Sequence, residues 1–121
     1  MTGVVTLSME IELGWGVHDV DGTTHLRPDG QAERAYLGRL LERCDDLGMP
    51  ITFDVVGHLL EEACDGTHDG PHEDGWFEND PGTDHRTDPL FYAPDVPVEI
   101  QARGTDHEIC THTYSHVLCG E

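Results

Sequence analysis

Lysine is absent from the 121 residues; the six basic side chains are all arginine, set against 25 acidic ones. A formal charge of −19 repels nucleic-acid phosphates and anionic membrane surfaces, so neither is expected as a partner. A surplus of this size also works against a compact fold by self-repulsion. Molar salt shortens the screening length to about 3 Å and removes most of that penalty, so the composition reads as adaptation to high salt. Long apolar runs are missing too. None approaches the roughly 20 residues of a membrane helix, and the opening MTGVVTLSMEIEL lacks a basic leader region, which makes the cytoplasm the expected location. Cysteine is sparse: Cys44, Cys64, Cys110 and Cys119 form no CxxC pair and no regular framework, so buried free thiols are expected, with a Cys110–Cys119 disulfide or zinc site as the alternative.

What is present has an alternating plan. Residues 3–9, GVVTLSM, are β-branched and apolar and predict a buried strand. Glu10 and Glu12 follow, then LGWG and a loop over 17–30. From Gln31 to Leu47 apolar side chains recur at threes and fours (Leu37, Leu40, Leu41, Cys44), predicting an amphipathic helix ended by Gly48. A second strand is expected at 51–56, ITFDVV, and a short helix at 57–64. Residues 65–95 form an irregular acidic insert dense in Asp, Gly, Pro and His, of a length that suggests a lid, a binding loop or disorder. A helix over 96–104 and a third strand at 107–112 complete the pattern. Strand and helix in alternation predict an α/β fold with about three parallel strands and crossover helices.

In such sheets ligands collect at the carboxyl ends of the strands. Glu10 and Glu12 fall at one such end, and His112 and His116 at another. Two imidazoles and a carboxylate with a position left open for water suit a catalytic zinc or another divalent transition metal. Spacing alone is weak evidence in a chain with nine histidines. His68 and His72 repeat the same spacing in a Gly-Pro loop, where solvated side chains are expected. His18, His25, His58, His85 and His107 have no partner in the sequence that singles them out. Trp15 is either a core residue or an aromatic platform for a sugar ring.

Three stretches together resemble the polysaccharide deacetylase family, the metal-dependent deacetylases of the NodB homology domain. VVTLSMEIELGWG is similar to the family's first motif, MPITFDVVGHLLEE to its second strand, and DHEICTHTYSHVL to its H-E-I-G-x-H-T-x-x-H motif. The resemblance implies the N-terminal portion of a distorted (β/α) barrel and a divalent metal, zinc first, held by Glu12, His112 and His116. It also implies Glu10 as general base. Glu10 stands where the family has Asp, and Ile11 where the adjacent-acid form has its ligand, which leaves the two glutamates' roles interchangeable. The family's later motifs, with an arginine and a second catalytic histidine, are absent from these residues, so the resemblance implies an incomplete domain over 1–121 with little turnover by itself. The activity implied is removal of N-acetyl groups from a carbohydrate. The alternatives are hydrolysis of a non-carbohydrate C–N bond on the same fold, or a non-catalytic fragment that binds a metal or partner. Three parallel strands also leave an open sheet edge through which copies of the chain could associate.

Overall fold

Apolar spacing over 31–47 produces a helix with those limits, α1 (Gln31–Leu47), whose buried stripe is Leu37, Leu41 and Cys44. The computed structural model describes residues 2–20 and 26–117, so His25 and Cys119 lie outside the described residues. At the end of α1, Gly48 takes a left-handed φ of 59° and the Met49 N–H bonds the Cys44 carbonyl at 3.0 Å. A side chain would be strained in that conformation, which is why glycine closes the helix.

β1 (Ser8–Ile11), β2 (Thr52–Val55) and β3 (Glu108–Thr111) form one parallel sheet in that order. α1 lies in the first crossover and α2 (Asp95–Gln101) in the second. The register sets Glu10 beside Asp54 and Asp54 beside Cys110. Alternation therefore sends these three side chains to one face and Met9, Ile11, Phe53, Val55 and Ile109 to the other. The second face merges with Leu37 and Leu41 of α1 and Val96 and Ile100 of α2 into the hydrophobic core. Both helices thus cover one face, and the polar face stays open. The expected α/β class with three parallel strands is observed. Strands in sequence order with helices on one face occur both in (β/α) barrels and in one half of a doubly wound sheet.

Several boundaries differ from expectation. The first strand runs Ser8–Ile11 rather than 3–9, and Val4 and Val5 are 88% and 87% exposed. The cause is the partner strand: Pro50 has no N–H to give, so the ladder starts with the Thr52 N–H to the Leu7 carbonyl at 3.0 Å. Glu10 consequently sits inside β1, and Glu12 is the first residue beyond it. The segment expected as a helix over 57–64 is a 3-10 turn, Gly57–Leu60. α2 ends at Gln101 rather than 104.

The insert is irregular as expected, exposed over 65–75 apart from His68 and packed into the molecule further on. Its aspartates make local turns by accepting backbone N–H bonds: Asp65 from Thr67, and Asp84 from Arg86 and Thr87. Tyr92 and Ala93 are fully buried, and the Ala93 N–H bonds the Leu59 carbonyl at 2.7 Å. Trp15 is also fully buried and donates from Nε1 to the Phe91 carbonyl at 3.1 Å. That corrects the sugar-platform alternative: the ring belongs to the core.

Candidate metal centre

Glu12 leaves β1 and His112 leaves β3 on the same side of the sheet. The His112 N–H still bonds the Val55 carbonyl at 2.8 Å, extending the ladder by one rung. A turn over 113–115 then brings His116 back. Glu12 Oε1 lies 3.0 Å from His112 Nε2 and 2.9 Å from His116 Nε2, and the two imidazole rings are 5.2 Å apart. The single carboxylate oxygen accepts from the Nε2–H of His112 and faces that of His116. Each of the three side chains is about one-quarter exposed, so the group is open to solvent on one side.

The backbone is bent to make this arrangement. Among the described residues, the non-glycine positions with left-handed φ are Leu13, Thr113 and His116. Each adjoins a member of the trio or is one. Such conformations cost about 1–3 kcal/mol each and persist where surrounding structure holds them. Here the Gly57 N–H bonds the Thr113 carbonyl at 2.8 Å, the His58 N–H bonds the Tyr114 carbonyl at 2.7 Å, and Trp76 Nε1 donates to Ser115 Oγ at 3.0 Å. Gly57 leaves little room for a side chain, because a Cβ there would stand a tight 3.2 Å from Tyr114 Cα. A Cβ on Gly16 would overlap the Glu12 carboxylate.

The donors suit a divalent transition metal. One ligand atom from each of Glu12, His112 and His116 lies within 4.8 Å of the others. His116 Nδ1 is buried without a hydrogen-bond partner among the described residues, a cost that makes sense if the ring is held for its other nitrogen. The structure brings Glu12, and not Glu10, to the two histidines. Glu10 is exposed on the polar face; it and Glu12 also line a cavity of about 590 Å3 at the β1 edge, shared with Ala32, Glu33, Tyr36 and Leu37 of α1. Asp54, its register neighbour, is a second carboxylate on that face; sequence reasoning passed over it because it lies inside an apolar strand.

Sequence reasoning also passed over a second group. His58, Cys64, His68 and Asp80 each offer a ligand atom within 4.8 Å of the others. His58 and Asp80 have fully buried side chains and His68 is 7% exposed. This corrects two expectations, that His58 has no distinguishing partner and that His68 is a solvated loop residue. Only His72 of the second histidine pair is exposed. Burial pushes the His58 imidazole pKa down against the pull of Asp80. Burial alone would raise Asp80, but bonds from Tyr92, Gly82 and His68 hold its carboxyl below the usual range. The Cys64-x3-His68 spacing is the one local sign of this group. His18, His85 and His107 make backbone hydrogen bonds of a structural kind.

Comparison of the chain with family models, curated proteins and solved structures returned no match. The deacetylase resemblance therefore rests on the three sequence motifs alone.

Proposed function

We propose that the chain carries the metal-binding part of a metal-dependent amide hydrolase of the polysaccharide deacetylase kind, built on the N-terminal strands of a (β/α) barrel. The observation that supports this reading best is the meeting of Glu12, His112 and His116, donors 100 residues apart in sequence, at the carboxyl ends of two strands. These three residues would hold the ion, zinc being the first choice for two imidazoles and a carboxylate. When bound, the ion supplies Lewis acidity, polarising an acetyl carbonyl and acidifying water. The chain's own part is to position donors and move a proton. Gly16 and the bent turn at 113–116 fix the three side chains. Glu10, which lines the same cavity as Glu12, would accept the proton of the attacking water in this reading. Amide cleavage would release acetate and a free amine, whose protonation needs an acid from elsewhere.

A non-carbohydrate amide is the second reading, favoured by the burial of Trp15, which removes the indole from any role in stacking on a sugar. The test is a zinc titration by calorimetry in molar salt, beside the His112→Ala/His116→Ala double variant. The wild-type chain should bind one zinc at this site with micromolar affinity, and the variant should lose that binding. Equal binding in both proteins would end the proposal. Assay of N-acetylated sugars against linear and cyclic amides, in a chain supplied with the missing acid, separates the two substrate classes.

A further inference from the structure

In the His58 group the side chains of His58 and Asp80 are fully buried and that of His68 nearly so, and hydrogen bonding leaves the group incomplete. Asp80 Oδ1 accepts from the Tyr92 hydroxyl at 2.5 Å and from the Gly82 N–H at 3.1 Å, while Oδ2 accepts from His68 Nε2 at 2.6 Å. Those bonds satisfy Asp80 and aim its Oδ2 inward. His58 Nε2 points at the same oxygen from 3.4 Å, yet it has no bond of hydrogen-bonding geometry and no contact with solvent. Cys64 Sγ stands 3.8 Å from His68 Nε2, and the thiol is free. A fully buried imidazole nitrogen without a partner is destabilising, and here it faces a carboxylate and lies beside a thiol.

We infer that His58, Cys64, His68 and Asp80 form a second metal site, a closed four-ligand structural centre for zinc or a similar thiophilic divalent ion. Four protein donors leave no open position, which is the mark of a structural rather than a catalytic centre. Thiolate and imidazole donors disfavour calcium and magnesium. Metal-to-sulfur distances of about 2.3 Å and metal-to-nitrogen distances of about 2.0–2.1 Å make the edges of a tetrahedron about 3.3 Å between nitrogen or oxygen donors and about 3.6 Å from sulfur to nitrogen. The observed 3.4 Å between His58 and Asp80 and 3.8 Å between Cys64 and His68 are close to those edges. The His68–Asp80 hydrogen bond would have to open by less than about 1 Å, and the remaining donor pairs lie within 4.8 Å of one another. Tyr92 and Gly82 would then serve as the outer partners that orient the carboxylate.

The centre would fasten the insert to the sheet, since its donors come from the 3-10 turn after β2, from the start of the insert and from its middle. It would also brace the first site, because the His58 N–H bonds the Tyr114 carbonyl in the turn between His112 and His116. The inference rests on its own donors and stands apart from the hydrolase reading. The thiolate makes it separately measurable.

Cobalt(II) added to the full chain in molar salt should produce a sulfur-to-cobalt charge-transfer band, and in the His112→Ala/His116→Ala double variant that band should saturate at one equivalent. Cys64→Ala should abolish the band, while Cys110→Ala and the His112→Ala/His116→Ala double variant should keep it. Absence of the band from the wild-type chain, or its survival in Cys64→Ala, overturns the inference. Should Cys64→Ala not fold, X-ray absorption of the zinc-loaded wild-type chain decides. A sulfur shell at about 2.3 Å is expected, and a shell of nitrogen and oxygen alone overturns the inference.

Discussion

Glu12 owes its place to what is missing next to it. Gly16 leaves the space its carboxylate fills, and an added methyl would overlap Oε2. Gly16→Ala should therefore weaken zinc binding at least about tenfold, equivalent to about 1.4 kcal/mol, without changing helix content. Gly38→Ala is the matched control: its Cβ would meet only Glu99 Oε1 at 3.4 Å. Alanine in a helix interior stabilises by about 0.5–1 kcal/mol relative to glycine. Calorimetry and circular dichroism on the pair check both statements, and equal zinc affinity in the two variants would remove Gly16 from the site. Glu10→Gln, by contrast, should leave zinc affinity within about tenfold, a difference of no more than about 1.4 kcal/mol, because Glu10 stands outside the trio.

Elements are joined by few but well-formed contacts. Arg34 in the first turn of α1 makes two bonds to Asp95 at the start of α2, 2.7 Å and 3.0 Å long, and a third to the Pro89 carbonyl at 3.0 Å. At the other end of α1, Asp45 accepts from the Thr105 N–H and hydroxyl at 2.9 Å and 2.7 Å, which ties the helix to the approach of β3. The insert contributes Trp76, whose indole N–H holds Ser115 inside the turn between His112 and His116. Trp76→Phe keeps the ring and removes that bond. A hydrogen bond of net worth about 1 kcal/mol predicts roughly fivefold weaker zinc binding with a small change in melting temperature. Calorimetry on this variant reads the link directly, and unchanged affinity would mean that the insert does not support the site. Leu41 is fully buried in α1, so Leu41→Ala should cost about 2–5 kcal/mol in urea unfolding.

For the whole molecule, charge sets the conditions under which any of this is seen. With −19 to accommodate, the melting temperature should rise steeply from dilute to molar sodium chloride, since screening removes self-repulsion. In molar salt the local terms remain. Asp95 is held below the usual carboxylate range by Arg34, Asp45 by Thr105, and Asp65 and Asp84 by backbone N–H bonds and the hydroxyls beside them. A carboxyl with a depressed folded pKa stabilises fully above its unfolded value, about 3.9, and loses that contribution as pH falls through the folded one. The carboxylate contribution in molar salt should thus be constant above about pH 5 and decline below about pH 4. It lies beneath an earlier fall that begins below about pH 6.5, where burial disfavours charging His58; a pH series of thermal melts would show both steps. β1 and β3 are edge strands, each with one pairing partner. Val4 and Val5 project beside the β1 edge almost fully exposed. Sedimentation in molar salt should show association that Val5→Glu reduces. Among the described residues, no helix is long and apolar enough to cross a membrane.

The amino-acid sequence by itself determined the features that depend on neighbours along the chain. α1 was legible to the residue because helical periodicity and a left-handed glycine cap are both local. The Glu10/Glu12 and His112/His116 pairs were legible as candidates because apolar strands announce their own carboxyl ends, where polar ligands gather; the choice of Glu12 with the two histidines came from the motif resemblance. Pairing and convergence are not local, and these only the tertiary structure decided. β1 begins at Ser8 because its partner begins after Pro50, and that shift separated Glu10 from Glu12. Trp15 is core rather than platform because a loop more than 70 residues away covers it. His58, Cys64, His68 and Asp80 are unremarkable in order. They meet because turn-making aspartates fold an irregular, acidic stretch back over the strand ends, where burial strips the water from their donors.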